Sequence, residues 1–339
     1  MATRKLLSIG TDRLLFKEGS AVRIRQIEYA KKYEEVHIIV FSDKNFIEQS
    51  ISPNCWVYPT KSSFKFMAPF DAMRLGRFIA KGRGITEITC QDSSFTAMAG
   101  LALKKEFNIP LEIQIHEDIS SPHFGYSMKS RMRKSMALSY IPKADSVRVV
   151  SNRIKNFLVD TLNVPEQKIT VRPILVDVES IKSAPILETA DLRKKYPQFK
   201  KIVLMASRLE KEKNIKMGIM AWSQVVSSSP EAGLIIVGSG SMKSELESLV
   251  KKMNLQSSVV FENWADKSTL VSYYKTADVF LSTSLFEGYG MTLVEAQAAG
   301  CVIVSTAVGV AEEVGAHIVG WDTEEIAEEI NQVLESLLQ

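Results

Sequence analysis

Val279-Phe-Leu-Ser282, followed by Ser284-Leu-Phe-Glu287-Gly288-Tyr-Gly290-Met291-Thr292-Leu-Val-Glu295-Ala296, is the stretch from which the fold reads. A short apolar, β-rich run gives way to a loop with two glycines, and a helical pattern opens near Met291. A strand that passes through a loop into a helix is the repeating unit of a parallel sheet. Outward from this stretch the alternation continues. In the second half strands are expected at Ile202–Met205, Gly233–Val237, Val259–Glu262 and Val302–Ser305, separated by helices such as Ile215–Val226, Met242–Met253, Ser268–Thr276 and Glu324–Leu337. In the first half Lys5–Ile9, Val36–Phe41, Trp56–Tyr58, Glu87–Thr89, Leu111–Ile115, Val147–Val150 and Ile169–Val171 read as strands, with helical patterns at Ala21–Tyr33, Phe95–Phe107 and Arg153–Leu162.

The alternation breaks at Ile181–Lys201, a charged stretch holding Pro185 and Pro197, which reads as a linker. With 339 residues there is chain enough for two domains, each burying its own core. The expected division is 1–185 and 186–339, both α/β and Rossmann-like. In such sheets ligands bind past the carboxyl ends of the strands, so two facing domains would place the chemistry in a cleft between them.

Composition excludes several classes. Hydrophobic residues at 45% and charged residues at 24% are those of an ordinary globular protein. No apolar run approaches the roughly 18–20 residues of a membrane span, and the apolar stretch after Met1 is too short for a signal peptide. Cys55, Cys90 and Cys301 are far apart and set in apolar surroundings, so buried free thiols in a cytoplasmic protein are expected. No Cys/His cluster has the spacing of a metal site. Residues 1–185 carry 28 Lys and Arg against 19 Asp and Glu, a net of +9, whereas the remainder has 14 against 20, a net of −6. A basic half beside an acidic half points to domains with different partners.

Two glycines in the 284–296 stretch let a backbone approach a ligand closely, and the helix opening at Met291 offers N–H groups to a phosphate. Glu295, one turn inside, is placed to accept hydrogen bonds from ribose hydroxyls, and Glu287 to meet the hydroxyls of a sugar. A glycine-rich turn with a solvated glutamate is the plain alternative on these residues alone.

The two glutamates, in an E-G-aromatic-G-x-T-x-x-E setting, resemble the signature of the retaining GT-B glycosyltransferases of glycosyltransferase family 4. The resemblance implies a GT-B architecture, donor-sugar contact at Glu287, ribose contact at Glu295 and diphosphate binding by Gly288, Gly290, Met291 and Thr292. Ser207-Arg208-Leu209-Glu-Lys-Glu-Lys213 after a strand resembles the family's Arg-Leu-x-x-x-Lys pattern. A departing diphosphate builds negative charge, which the Arg208 fork and the Lys213 point charge can neutralise. Val237-Gly238-Ser-Gly240 resembles a turn near the nucleotide, and Glu262-Asn263-Trp264 the segment that edges the base. For Trp264 the favoured reading is core. In the first half His116 matches a histidine beside the sugar, and Gly19 with Ser20 a small-residue turn under the donor phosphates. Gln91-Asp92-Ser93, Glu117-Asp118 and Ala144–Ser151 resemble cleft-facing segments.

The resemblance thus implies an acceptor-side first domain, a donor-binding second domain and no required metal or cofactor. The co-substrate would be a UDP- or GDP-sugar and the acceptor a glycan, a lipid-linked sugar or a small molecule. Departures exist: Pro173-Ile-Leu-Val-Asp177 and Gly309-Val-Ala-Glu312-Glu313 differ from the usual patterns. The family's last helix usually crosses back onto the first domain, and Thr323–Gln339 is short for that, which bears on closure and on activity. A nucleotide-sugar epimerase or phosphorylase, and a non-catalytic nucleotide-sugar-binding protein, are the rival readings. A nicotinamide enzyme is disfavoured because the first strand lacks the Gly-x-Gly-x-x-Gly loop.

Two basic amphipathic stretches complete the sequence: Met128–Tyr140, with Met128, Met132, Met136 and Tyr140 every four residues, and Phe70–Arg83, mixing Phe70, Met73 and Phe78 with Arg74, Arg77, Lys81 and Arg83. Each is either a core-facing helix with a solvated basic face or a docking element for a phosphate-bearing acceptor or for anionic lipid, the latter at the inner face of a membrane. Nucleic acid is disfavoured, since stacking aromatics are not interleaved with the cations.

Overall fold

The computed structural model describes residues 4–125 and 127–337. The chain divides into two compact units, Met1–Arg172 and Pro173–Gln339. The first is built on an eight-stranded sheet: β1 (Lys5–Gly10), β2 (Glu35–Val40), β3 (Gln49–Ser52), β4 (Cys55–Pro59), β5 (Glu87–Cys90), β6 (Leu111–Ile115), β7 (Ser146–Val149) and β8 (Ile169–Val171), in the order β3-β4-β2-β1-β5-β6-β7-β8. Every pairing is parallel except that of β3 with β4 at the edge. The second unit holds six parallel strands: β9 (Lys201–Ala206), β10 (Ala232–Val237), β11 (Val259–Glu262), β12 (Val279–Ser282), β13 (Val302–Thr306) and β14 (His317–Val319), in the order β11-β10-β9-β12-β13-β14.

Strands buried on both faces need apolar residues at every position, and helices must cover both sides. β9 illustrates this: Val203 and Met205 enter one core layer with Trp222, Leu246 and Ile330, whereas Ile202 and Leu204 enter the other with Tyr274, Phe280 and Leu293. Helices start on side-chain caps where the sequence provides them, as at Ser20, Ser151, Asp266 and Asp322. The three cysteines are free and buried, and burial pushes the thiols of Cys55 and Cys301 up to about 12. Among the described residues no helix is long and apolar enough to cross a membrane.

One feature departs from expectation. The stretch read as a linker is packed: Ile181 is buried with Val271 and Ala298, Leu187 N–H donates to Ser272 Oγ (3.0 Å), and Lys275 Nζ donates to the carbonyls of Lys182 and Ala184. The segment lies within the second compact unit, which opens at Pro173: its charged residues face solvent while its few apolar ones dock on that unit. The last helix, Thr323–Ser336, also belongs to the second unit, where Ile326, Ile330, Val333 and Leu334 complete the core against the helix Ile215–Ser228.

Candidate functional site

Numbered within its own unit, the second sheet runs 3-2-1-4-5-6, so strand order reverses between β9 and β12. Loops leaving two such strands diverge to opposite faces and open a crevice at the carboxyl ends. The loop after β9 carries Arg208 and Lys213, and the loop after β12 carries Glu287 to Met291. Hydrogen bonds stitch the two loops together: Thr283 Oγ1 donates to the Asn214 carbonyl (2.9 Å), and Leu285 N–H to the Glu212 carbonyl (2.8 Å). Lys213 Nζ then reaches Glu287 Oε1 at 2.5 Å, an ion pair with each side chain less than one-fifth exposed. Ser284 Oγ donates to the same carboxylate oxygen (2.9 Å). A small recess lies here, lined by Ser207, Lys213, Ser284, Glu287 and Thr292 among others.

The helix Met291–Ala298 opens beside this pair. Gly290 precedes it at φ 89°, a left-handed conformation that disfavours a side chain, and an added Cβ would press Leu293 Cδ1 at 2.8 Å. Gly290 has no side chain to cap the helix, so its first N–H groups remain at the crevice with the positive end of the helix dipole. Met291 is exposed and Thr292 half-buried at this start, and Gly288 lies half-buried in the loop before it. Behind the loop Val310 N–H donates to the Tyr289 carbonyl (2.9 Å). Glu295 is half-buried one turn in; burial raises its pKa above the ordinary carboxylate value, opposed by Lys267 and by a 3.5 Å bond from Tyr274 Oη.

Arg208 stands apart from the ion pair. Its side chain is 62% exposed and bonds Glu212 Oε1 at 2.9 Å. The loop that bears it is held by the turn after β10. Gly238, at φ 147°, lies so close to the Ser207 carbonyl that no Cβ fits, and Leu209 N–H donates to the Ser239 carbonyl (2.9 Å). The glycine at 238 thus serves loop-to-loop packing that positions Arg208. Asn263, after β11, accepts from Lys243 Nζ (3.1 Å). Trp264, read as core from sequence, is instead 64% exposed, because the chain has already left the sheet after Glu262.

In the first unit Gly19 is exposed at φ 71°, directly before Ser20, whose Oγ caps the helix Ala21–Ala30. His116 follows β6. Solvent reaches its ring, yet the surrounding protein and the Arg148 guanidinium push its pKa below the ordinary value, opposed by Asp92. His116 Nε2 lies 3.3 Å from Gln114 Oε1. The orientation of that amide follows from its neighbours. Arg148 Nη1 can only donate and approaches Oε1 (3.4 Å), while Nε2 donates to Thr89 Oγ1 (2.9 Å) and to the Glu112 carboxylate (3.2 Å). Gln114 Oε1 is therefore an acceptor, His116 Nε2 carries the proton, and Nδ1 is left with its lone pair. The acids near these segments have structural partners. Asp92 Oδ1 accepts from the Ser94 and Thr96 N–H groups ahead of and within the first turn of the helix Phe95–Phe107, Asp118 pairs with Arg153 (3.1 Å), Glu117 with Arg133 (2.5 Å) and Asp145 with Lys104 (2.7 Å).

The family model "Glycosyl transferases group 1" matches residues 189–338, and the model "Glycosyltransferase Family 4" matches residues 27–180. The chain belongs to the group 1, family 4 glycosyltransferases. Among curated relatives of this glycosyltransferase-family chain, the alpha-monoglucosyldiacylglycerol synthase of Streptococcus pneumoniae is 25% identical over 67% of the chain and 53% of that protein. The N-acetylgalactosamine-N,N'-diacetylbacillosaminyl-diphospho-undecaprenol 4-alpha-N-acetylgalactosaminyltransferase of Campylobacter jejuni is 26% identical over 80% of the chain and 72% of that protein. The match to the pneumococcal protein therefore spans about half of its length. Among solved structures, HepE of Anabaena in complex with UDP superposes with a TM-score of 0.70 at 19% identity, covering 98% of this chain and 90% of that one. The fold is accordingly that of the GT-B glycosyltransferases.

Against that family background, the structure brings Lys213, Glu287 and Thr292 to one recess, with Gly290 and Met291 at its rim, and sets Arg208 exposed on the adjoining loop. Sequence reading missed Gln114, Ser284 and Tyr274. The first had a signal: residues two apart on a strand share a face, so Gln114 had to lie beneath His116. Nothing local in the sequence pairs Tyr274 with Glu295, which meet through tertiary packing of two helices.

Proposed function

We propose that this chain transfers a sugar from a nucleoside diphosphate sugar to an acceptor hydroxyl, with retention at the anomeric carbon and without a metal ion. The observation that supports it most is the Lys213–Glu287 pair beside the uncapped helix start at Gly290, at the strand-order reversal of the second sheet. The second unit holds the donor. Arg208, Lys213 and the N–H groups at Met291 and Thr292 take the diphosphate, Glu295 the ribose, Glu287 the sugar, and Gly238 and Asn263 the nucleoside side. The first unit presents the acceptor, with His116 beside the sugar and Gly19 under the phosphates. The bond from the anomeric carbon to the phosphate oxygen breaks, the acceptor oxygen takes its place, and the acceptor proton passes to the leaving phosphate. Cations and helix N–H groups neutralise the charge that builds there.

A uridine donor is favoured by the similarity to HepE, which was solved with UDP. The printed names of the two relatives contain a diacylglycerol and an undecaprenol. Together with the basic first half, they favour an acceptor displayed at an anionic lipid surface. Calorimetry with UDP, GDP and ADP, followed by incubation with the matching sugar donors in EDTA and anomeric assignment of the product by NMR, tests the reading. Donor consumption without acceptor would favour an epimerase. Binding without turnover under any acceptor would leave a binding protein, and loss of turnover in EDTA would remove the metal-free mechanism.

A further inference from the structure

The helix Ala68–Arg83 of the first unit is built the opposite way from a core helix. The side it buries is made mostly of small residues, Ala68, Ala72, Gly76 and Ala80 with Ile79, and a Cβ at Gly76 would run into Leu103 Cδ1. Its solvent side carries Phe70 and Phe78, and the turn leading into it exposes Phe64, Phe66 and Met67. The core-facing reading of Phe70 and Phe78 is thereby overturned: the four rings are 54–78% exposed, and Phe64 stacks on Phe66 with centroids 5.5 Å apart. At 100° per residue Phe70, Arg74, Arg77, Phe78 and Lys81 fall on one stripe. From 64 to 83 the segment holds five cations, Lys65, Arg74, Arg77, Lys81 and Arg83, and one acid, Asp71; Arg74 pairs with Asp71 (3.3 Å) and Arg77 with Glu106 (2.6 Å).

Four phenylalanines at the surface of one segment are not needed for its packing, since small residues already seal the helix against Leu103. Aromatic rings flanked by long cationic side chains are the composition that inserts at a headgroup boundary, the rings entering the acyl edge while the ammonium and guanidinium groups stay at the phosphates. A purely cationic face would bind anionic lipid by charge alone and release it as salt rises, because the screening length falls from about 10 Å at 0.1 M to about 3 Å at 1 M. A cationic face with inserted rings keeps a salt-resistant part. The helix Phe95–Phe107 packs beside this one, and Met128–Tyr140 packs beside that. In Met128–Tyr140, Met128 and Met132 are exposed near Lys129 and Arg131, whereas Arg133 and Lys134 are engaged with Glu117 and the Ser121 carbonyl.

We propose that the phenylalanine ridge Phe64–Phe66–Phe70–Phe78 with Lys65 and Lys81 is the element by which this chain docks on an anionic phospholipid surface. The inference deepens the lipid-surface reading of the acceptor and rests on it. The test uses the full chain, with phosphatidylcholine vesicles and vesicles of phosphatidylcholine and phosphatidylglycerol, at about 0.05 and 0.5 M salt. The variants are Phe64→Ser/Phe66→Ser/Phe70→Ser/Phe78→Ser and Lys65→Glu/Lys81→Glu, each checked for an unchanged melting curve and UDP affinity. The unaltered chain is expected to partition onto the anionic vesicles at least tenfold better than onto neutral ones, keeping a measurable fraction bound at high salt. The serine variant should lose that residual fraction and at least tenfold in low-salt partition, and the glutamate variant should lose the preference for anionic lipid. Binding by the serine variant equal to that of the unaltered chain overturns the ridge while leaving the lipid-surface reading in place. Absence of binding by the unaltered chain overturns both, and UDP affinity on the same sample reports separately on the donor site. A dimer that dissociates in the serine variant without vesicle binding would assign the ridge to a second copy instead, which also overturns the proposal.

Discussion

Arg208 and Lys213 are five residues apart and do different work in the ligand-free fold. Arg208 is mostly exposed, so solvent screens its contact with the largely buried Glu212 and leaves it worth about 0–1 kcal/mol. Arg208→Ala should therefore leave the melting temperature within about 2 °C while lowering kcat/KM on the order of 100-fold, as loss of a transition-state charge partner does. Lys213→Ala removes the cation from a nearly buried carboxylate. Breaking a fully buried pair costs about 3–5 kcal/mol, and the remaining solvent access and the Ser284 bond reduce that to about 1–3 kcal/mol. A melt combined with steady-state kinetics separates the two, and equal melting of both variants would contradict the assignment. Glu295 shows the opposite conflict between stability and binding. Its folded pKa is raised, so the ionised form is a cost at neutral pH that disappears as pH falls through that value. Glu295→Gln should melt at an equal or higher temperature at pH 7, lose that advantage near pH 4, and bind UDP about tenfold more weakly through loss of a charged acceptor. A lower melting temperature at pH 7 would show that burial is not the dominant influence on this carboxyl.

At the scale of elements, most of the chain could be read in advance because parallel strands buried on both faces need continuous Val, Ile and Leu. β6, β8, β11 and β12 fall where expected, and β1, β9 and β10 within a residue. The two missed strands are edges. β3 (Gln49-Ser-Ile-Ser) is polar and antiparallel, and β14 contributes three residues beginning with His317, so neither carries the apolar signal. The linker was misread for a related reason: a segment that packs through isolated residues such as Ile181 and Leu192 looks like solvent-exposed chain. The site was legible as loops and illegible as contacts. Arg208, Lys213, Glu287 and Glu295 could be placed at strand ends and a helix start, whereas the meeting of Lys213 with Glu287 depends on how two loops are stitched. The ladder under His116 offers a test at this scale. Gln114→Glu keeps an acceptor beneath the ring but adds a charge, which favours imidazolium. The His116 titration, followed by imidazole NMR, should move upward from its depressed value, and an unmoved titration would mean that Gln114 does not face the ring.

For the whole molecule, the compositional asymmetry matches the structural division. The first unit holds the basic surplus and the exposed ring-and-cation segment, while the second holds the crevice in which Lys213, Glu287 and Thr292 gather. Each unit has its own sheet and core, and the last helix completes the core of the second. A fragment comprising residues 173–339 should therefore fold cooperatively and be stabilised by UDP, since a ligand that binds the native state raises its melting temperature by mass action. An unfolded fragment, or a folded one insensitive to every nucleoside diphosphate, would place essential parts of the donor site in the first unit.

The carbonyl of Ser284 accepts bonds from both Thr306 Oγ1 (2.7 Å) and the indole Nε1–H of Trp321 (3.2 Å). Ser284 is also the residue whose hydroxyl holds Glu287. An indole whose polar edge is fixed to the start of the loop that carries Glu287 is a natural optical gauge, because emission from tryptophan follows the polarity and rigidity around that edge. With Trp222 deep in the core, Trp56 against Arg83 and Trp264 beside Asn263, the four indoles of the chain sit in distinguishable surroundings. Single replacements by phenylalanine would assign the bands, and occupancy of the crevice could then be followed by light without any label.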